Sequence, residues 1–295
     1  GAGTTADVPG AVPEAIGAGR VVGAWTLERC LGEGGMGSVW LARRSDGRFE
    51  GAAAVKLPHL ALLDPGGRRR FARETQALAR LSHPHIAALK DAGIADDGQP
   101  YLVLEHVAGQ PIDVHCDQRR LGVRQRVALV IQMLDAVAHA HAQLVLHRDL
   151  KPGNVLVTDD GQVKLLDFGI AWLLEAGEDG DGVAASHTQR LFSPDCAAPE
   201  QVDGGALGTA TDVYAAGVML HQLATGALPF RGATFHALMM ATIQEPIPAA
   251  GAVRPATSLR AETVCIACAL QSWRRISALP TGRAVMAAAI FAPTP

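Results

Sequence analysis

Aromatic residues are scarce in this chain, at 4% of 295 residues, so its cores must be built from aliphatic and alanine side chains. Cysteines are few as well. The five, at positions 30, 116, 196, 265 and 268, are odd in number and irregular in spacing, which makes a poor disulfide framework and points to a reducing compartment. Cys265 and Cys268 form one C-x-x-C, but a structural zinc site takes four ligands and no second pair lies near. Their apolar surroundings, Val264 to Leu270, predict buried thiols instead. No run approaches the roughly 18 apolar residues of a membrane-spanning helix, so none is expected. A basic segment followed by an apolar one is missing from the N-terminus, so the expectation is no signal peptide and a cytoplasmic location. The chain opens Gly1-Ala2-Gly3 without an initiator methionine, as a trimmed chain or a piece of a longer protein would. Excess positive charge is missing too. The formal net charge of −3 offers no basic surplus to neutralise phosphates, so a nucleic-acid partner is not expected.

What remains is an ordinary globular balance, 48% apolar and 19% charged, long enough for one large domain or two lobes. Residues 1–24 open with a Gly-, Ala- and Pro-rich stretch without periodicity and are expected to be a flexible leader. Short strands are predicted at Trp25 to Leu31, Ser38 to Arg43, Gly51 to Leu57, Ile86 to Lys90 and Tyr101 to Glu105. Helical spacing of Phe71, Thr75, Leu78 and Leu81 predicts one helix over Arg68 to Leu81. The first hundred residues thus read as a five-stranded antiparallel sheet with one helix. After Gly109 the character changes. Arg124 to Gln143 is predicted as an amphipathic helix with Val127, Val130, Ile131, Leu134, Val137 and Ala138 on one face. Residues 175–190 are acidic, then polar, and are expected to be mobile. An apolar helix is predicted from Asp212 to Thr225, with two weaker ones after it.

Several local patterns carry chemistry. Gly32-Glu33-Gly34-Gly35-Met36-Gly37-Ser38-Val39 is a G-x-G-x-x-G-x-V run, whose backbone can approach phosphates closely. The same letters fit a dinucleotide-binding turn, but that turn opens a helix, and here a strand follows. Lys56 closes the apolar run Ala53-Ala54-Val55, where its charge needs a partner; Glu74 on the predicted helix is a suitable carboxylate. Further on come His147-Arg148-Asp149-Leu150-Lys151-Pro152-Gly153-Asn154, then Asp167-Phe168-Gly169, then Ala198-Pro199-Glu200.

In that order and spacing these segments resemble the Hanks-type, eukaryotic-like serine/threonine protein kinases of bacteria, over about residues 25–270. The resemblance implies an α+β, bilobal protein-kinase fold: a small antiparallel β-sheet lobe with one helix and a larger, mainly helical lobe. It places the kinase domain at 25–285, with the small lobe at 25–103, a hinge at 104–110 and the large lobe at 111–285, and leaves residues 286–295 as a tail. ATP is expected between the lobes. Asp149 is expected to orient the substrate hydroxyl and Lys151 to touch the transferring phosphate. Lys56, oriented by Glu74, is expected on the α- and β-phosphates under a lid formed by Gly32, Gly34 and Gly37. Asn154 and Asp167 are the expected ligands of Mg²⁺, with Mn²⁺ as a substitute. Leu31, Val39, Ala54 and Leu156 are expected around the adenine, Leu104 at the gatekeeper position, and the backbone of Glu105 and Val107 at the purine edge.

The resemblance also implies protein substrates, from the full Ala198-Pro199-Glu200 segment, and serine or threonine acceptors rather than tyrosine, because Lys151 follows the catalytic-type aspartate by two places. Self-association for autophosphorylation is a further expectation. Ser193 stands where relatives carry a bridging threonine, and Cys196 where they carry an aromatic residue. Arg148 beside Asp149 implies regulation by a phosphate on the segment 167–200, with Thr188 first and Ser186 second as acceptors. The alternatives are a pseudokinase scaffold, which usually lacks residues like Lys56, Asp149 or Asp167, and a small-molecule phosphotransferase of similar fold. The end of the chain departs from the pattern. Arg274, Arg275 and Arg283 are the candidates to stand in for the arginine that pairs with a glutamate like Glu200; if none does, Glu200 is expected to lack that partner.

Overall fold

A computed structural model describes residues 16–35, 37–48, 50–59, 67–168, 193–246 and 248, without the side chains of 67–70 and 74. Residues 169–192, with Ser186 and Thr188, and the end of the chain, with Cys265, Cys268 and the three candidate arginines, lie outside them. Two compact units form, one from residues 1–62 with 89–106 and one from 63–88 with 107–295.

The first unit is a six-stranded antiparallel sheet in the order β1-β2-β3-β4-β6-β5. Its strands are β1 (Val21–Val22), β2 (Trp25–Gly34), β3 (Gly37–Arg44), β4 (Ala52–Pro58), β5 (Leu89–Ile94) and β6 (Pro100–Glu105). Alternation explains its core. Ala53, Val55 and Leu57 of β4 point to one face and pack with Val22, Trp25, Leu27, Ala42, Tyr101 and Val103. β1 is a strand beyond the five expected. It buries Val22 fully, and the buried Arg20 beside it pairs with Asp97. Order therefore begins inside the stretch expected as a leader.

The second unit holds α1 (Gly67–Ala79), β7 (Gly109–Pro111), α2 (Ile112–Gln118), α3 (Val123–Ala142), β8 (Val155–Thr158), β9 (Val163–Leu165), α4 (Pro199–Val202), α5 (Thr209–Thr225) and α6 (Phe235–Gln244). α1 groups with this unit rather than with the sheet. The reason lies in residues 81–87: Leu81 and Ile86 are buried in the helical core. Ile86 was expected to begin a strand of the small sheet. It makes an isolated parallel bridge to Leu165 instead, flanked by Leu165 N–H to His85 O (2.8 Å) and Ala87 N–H to Leu165 O (3.0 Å).

α3 shows the expected periodicity with its buried stripe turned by about one residue. Val127, Val130 and Val137 are buried with Met133, Ala136 and Ala140, whereas Ala138 is exposed. The turn follows from packing on two sides, against α5 and β9. α5 is buried around nearly its whole circumference, as an all-round apolar helix must be. It ends at Gly226, whose φ of 79° is the left-handed cap that glycine supplies without strain. Arg126 staples three helices: it donates to the carbonyls of Leu121, Cys116 and Leu223 and pairs with Asp117 at 2.7 Å.

Candidate active site

Residues 147–154 lie between α3 and β8, and their backbone is strained where the chemistry-bearing side chains project. Arg148 has φ 68° and Asp167 has φ 50°, both left-handed and both non-glycine. Each such residue costs on the order of 1–3 kcal/mol and persists only where its surroundings fix it. Asp212, in the first turn of α5, does that for Arg148. Its Oδ1 accepts from Arg148 N–H at 2.6 Å and its Oδ2 from His147 N–H at 2.8 Å. His141 Nε2 completes the set, 2.7 Å from Oδ2. Burial works to raise the Asp212 pKa, but the His141 hydrogen bond and the two backbone N–H groups outweigh it and hold the carboxyl below its usual range.

His147 is fully buried, and its tautomer is fixed. Nε2 lies 2.7 Å from the Leu166 carbonyl and so must donate, which leaves Nδ1 to accept from Asp149 N–H at 3.4 Å. Burial keeps this imidazole neutral, with its pKa below the ordinary value. Its ring packs against Phe168, 4.9 Å between centroids.

Three neighbours position the Asp149 carboxylate. Lys151 Nζ is 2.7 Å from Oδ2, Asn154 Nδ2 donates to Oδ2 at 3.1 Å and to the Asp149 carbonyl at 2.8 Å, and Ser193 N–H donates to Oδ1 at 3.2 Å. Lys151 also donates to Ser193 Oγ at 2.8 Å. Ser193 thus joins Asp149 and Lys151 in a different way from the expected hydroxyl bridge: its backbone N–H meets the carboxylate and its hydroxyl meets only the lysine. Asn154 spends its amide N–H₂ on Asp149, which orients its carbonyl oxygen as the remaining donor atom. Leu166 N–H bonds to Asn154 O at 2.8 Å, joining this segment to the one that carries Asp167. An amide oxygen and a carboxylate are hard ligands, suited to a divalent cation that takes its other ligands from phosphates and water.

The sheet holds the other expected residues. Register aligns Gly32 with Val39, Val39 with Lys56 and Lys56 with Leu102 across four strands. Ala54 pairs with Leu41 on one side and Leu104 on the other. Val39, Ala54, Lys56 and Leu104 thus share the face opposite the Val55–Trp25 core. Lys56 is buried, at 7% exposure. Leu31, Gly32 and Gly34 lie on β2, and Gly37 opens β3. Gly37 is obligatory: at φ 132° an added Cβ would stand 2.1 Å from the Leu57 carbonyl oxygen. Glu105 ends β6 in the first unit, while Val107, Leu156 on β8, and α1 with Glu74 belong to the second. The Glu74 side chain is outside the described residues.

Two polar residues at this site carried no readable sequence signal. His141 stands two places from His139, and the structure turns them apart, His139 towards the His83 ring and His141 onto Asp212. Gln201, next to Ala198-Pro199-Glu200, donates through Nε2 to the Arg148 carbonyl at 2.8 Å and accepts from Ala198 N–H at 3.0 Å. Glu200 accepts from Thr211 Oγ1 at 2.7 Å. Cys196 is buried between these groups, and burial pushes its thiol up to about 12, which makes it an inert small side chain.

Residues 25–265 match the protein kinase domain family, and this chain belongs to that family. Among curated relatives, the serine/threonine-protein kinase pkn3 of Myxococcus xanthus is 39% identical over 217 residues, covering 70% of this chain and 38% of the relative. PrkC of Bacillus subtilis, also a serine/threonine-protein kinase, is 32% identical over 250 residues, covering 84% of this chain and 37% of the relative. The chain thus spans less than half the length of either. The crystal structure of the Mycobacterium tuberculosis PknI kinase domain matches with a TM-score of 0.66 at 29% identity, covering 93% of this chain and 98% of that one. The family match and this likeness make the fold the α+β, bilobal kinase fold. Among the described residues, no helix is long and apolar enough to cross a membrane.

Proposed function

We propose that this chain transfers the γ-phosphoryl group of ATP to serine or threonine hydroxyls of protein substrates. The observation that carries the reading is the fixed Asp149 carboxylate, held by Lys151, Asn154 and Ser193. Phosphoryl transfer asks for positioning and charge neutralisation more than covalent chemistry. Asp149 orients the acceptor hydroxyl and takes its proton as the oxygen bonds to the γ-phosphorus and the bond to the β-phosphate oxygen breaks, releasing ADP. Lys151 sits beside that carboxylate and neutralises charge on the moving group. Lys56, a buried cation at the end of a strand, binds the nucleotide phosphates, with Glu74 as its orienting carboxylate and Gly32, Gly34 and Gly37 as the backbone over them. Leu31, Val39, Ala54, Leu104 and Leu156 hold the adenine, and the backbones of Glu105 and Val107 bond its edge.

Asn154 and Asp167 would hold a divalent metal, Mg²⁺ in the first instance, which would supply charge neutralisation at the phosphates. Phosphorylation at Thr188, or at Ser186, raises activity by setting a phosphate against the Arg148 guanidinium. Self-association for autophosphorylation belongs to the same reading.

The test is phosphate incorporation from labelled ATP with Mg²⁺ into the protein itself and into a generic Ser/Thr substrate. Asp149→Asn and Lys56→Met run beside it. Incorporation abolished by both substitutions supports the reading. Folded protein that binds ATP and transfers nothing favours a scaffold instead.

A further inference from the structure

We infer that Gln201 is a positioning residue for phosphoryl transfer, acting through the Arg148–Asp149 peptide group; the inference rests on the kinase reading above. Arg148 is the strained residue directly before Asp149, with φ 68°. Its two backbone polar groups are held from two different helices. Asp212 of α5 takes the N–H at 2.6 Å, and Gln201 of α4 supplies a donor to the carbonyl at 2.8 Å. The second bond fixes the plane of the peptide whose nitrogen belongs to Asp149, and so the direction in which the Asp149 side chain leaves the backbone. The two helices are tied to each other by Thr211 Oγ1 on Glu200 at 2.7 Å, one residue from each clamp.

The geometry requires an amide at this position. The Arg148 carbonyl can only accept, and Ala198 N–H can only donate, so the side chain that meets both must carry one donor and one acceptor in fixed places. Glutamine does this. A glutamate keeps the acceptor for Ala198 and sets a second carboxylate oxygen against the Arg148 carbonyl. This separates two roles. If Gln201 serves only to shape the start of α4, the acceptor is what matters and glutamate replaces it. If it positions Asp149, the donor is what matters and glutamate fails.

Gln201 also links the site to the segment before it. Residues 193–202 hold the catalytic segment at Ser193, whose N–H meets Asp149 Oδ1 at 3.2 Å and whose hydroxyl accepts from Lys151, and at Gln201, which donates to the Arg148 carbonyl. A shift of that segment therefore releases the carboxylate from one side and the peptide behind it from the other. Gln201 makes the placement of the 193–202 segment a condition of Asp149 geometry.

The experiment compares wild type, Gln201→Glu and Gln201→Ala for kcat and KM, with ATP and with a Ser/Thr peptide, alongside circular dichroism and ATP binding. Both variants are expected to lose about ten-fold or more in kcat, the effect of one transition-state interaction of hydrogen-bond size. KM for ATP should stay within about two-fold in each, because no nucleotide contact is altered. Wild-type kcat in folded Gln201→Glu overturns the proposal, and so does a loss carried entirely by KM. Absence of transfer in wild type itself is a different failure, that of the kinase reading.

Discussion

The face of the sheet with Val39, Ala54, Lys56 and Leu104 and the segment around Asp149 are positioned by opposite means. On the sheet, each of these side chains is placed by a ladder of backbone hydrogen bonds shared among β2, β3, β4 and β6. The ladder is redundant, and most single side chains can change without moving their neighbours. Around Asp149 the backbone takes left-handed conformations that nothing local favours, at Arg148 and Asp167. Side chains hold it there: Asp212 and Gln201 from distant helices, Asn154 and His147 from within the segment. Placement by the ladder is distributed, and placement by side-chain clamps is concentrated in a few atoms. The comparison predicts where the protein is fragile.

The sharpest way to test it is Asp212→Ala. The change removes both acceptors from His147 N–H and Arg148 N–H in a buried setting. Stability in urea unfolding is expected to fall by about 3–5 kcal/mol, with phosphate transfer lost. A fall under about 1 kcal/mol would mean that the clamps are ornamental and the loop holds itself. Next in size is Gly37→Ala, a point where the ladder depends on a single residue. A Cβ 2.1 Å from the Leu57 carbonyl must push β3 from β4. The expected loss is about 2–3 kcal/mol in thermal or urea unfolding.

Acid should separate the two regions. His115, His147 and His221 all lie in the second unit, and burial holds each below the ordinary imidazole value of 6.5. Below about pH 6.5 the unfolded chain takes up protons that the folded one resists, so stability is lost as pH falls from there. Each proton of difference contributes a slope of about 1.4 kcal/mol per pH unit. Asp212, held low, keeps its contribution until the pH approaches the ordinary carboxylate value of 3.8 and loses it below. Hydrogen exchange at pH 5.5 against pH 7.5 should therefore show α3 and α5 losing protection before β2–β4. Equal loss in both would sink the contrast. The smallest effect is a gain. Leu144 is 93% exposed and has φ 60°, a conformation leucine resists. Leu144→Asn should raise stability by about 0.5–1 kcal/mol, seen as a higher melting temperature.

The same contrast explains what was legible in the chain. Strands β2, β3, β4 and β6 and helices α3 and α5 announce themselves by alternation or helical spacing, because burial on one face is periodic. Asp149, Lys151 and Asn154 lie within eight consecutive residues, so their meeting needs no long-range knowledge. Gln201 and His141 were not legible. Their partners are 53 and 71 positions away, and a polar contact at such range leaves no period in the sequence. Ile86 misled for a related reason: an apolar residue after a helix and before a strand looks like the strand's beginning. Only the tertiary pairing with Leu165 shows that it serves another core.

That pairing has a mechanical consequence. Leu165 is gripped on both sides by the backbone of His85 and Ala87, and β9 ends there, with Asp167 two residues further along the chain. The stretch that trails α1 and the stretch that carries the candidate metal ligand are thereby riveted at one joint. Push on the end of α1 and Asp167 feels it through a lever two residues long. The mount of a helix and the mount of a ligand are one piece of hardware.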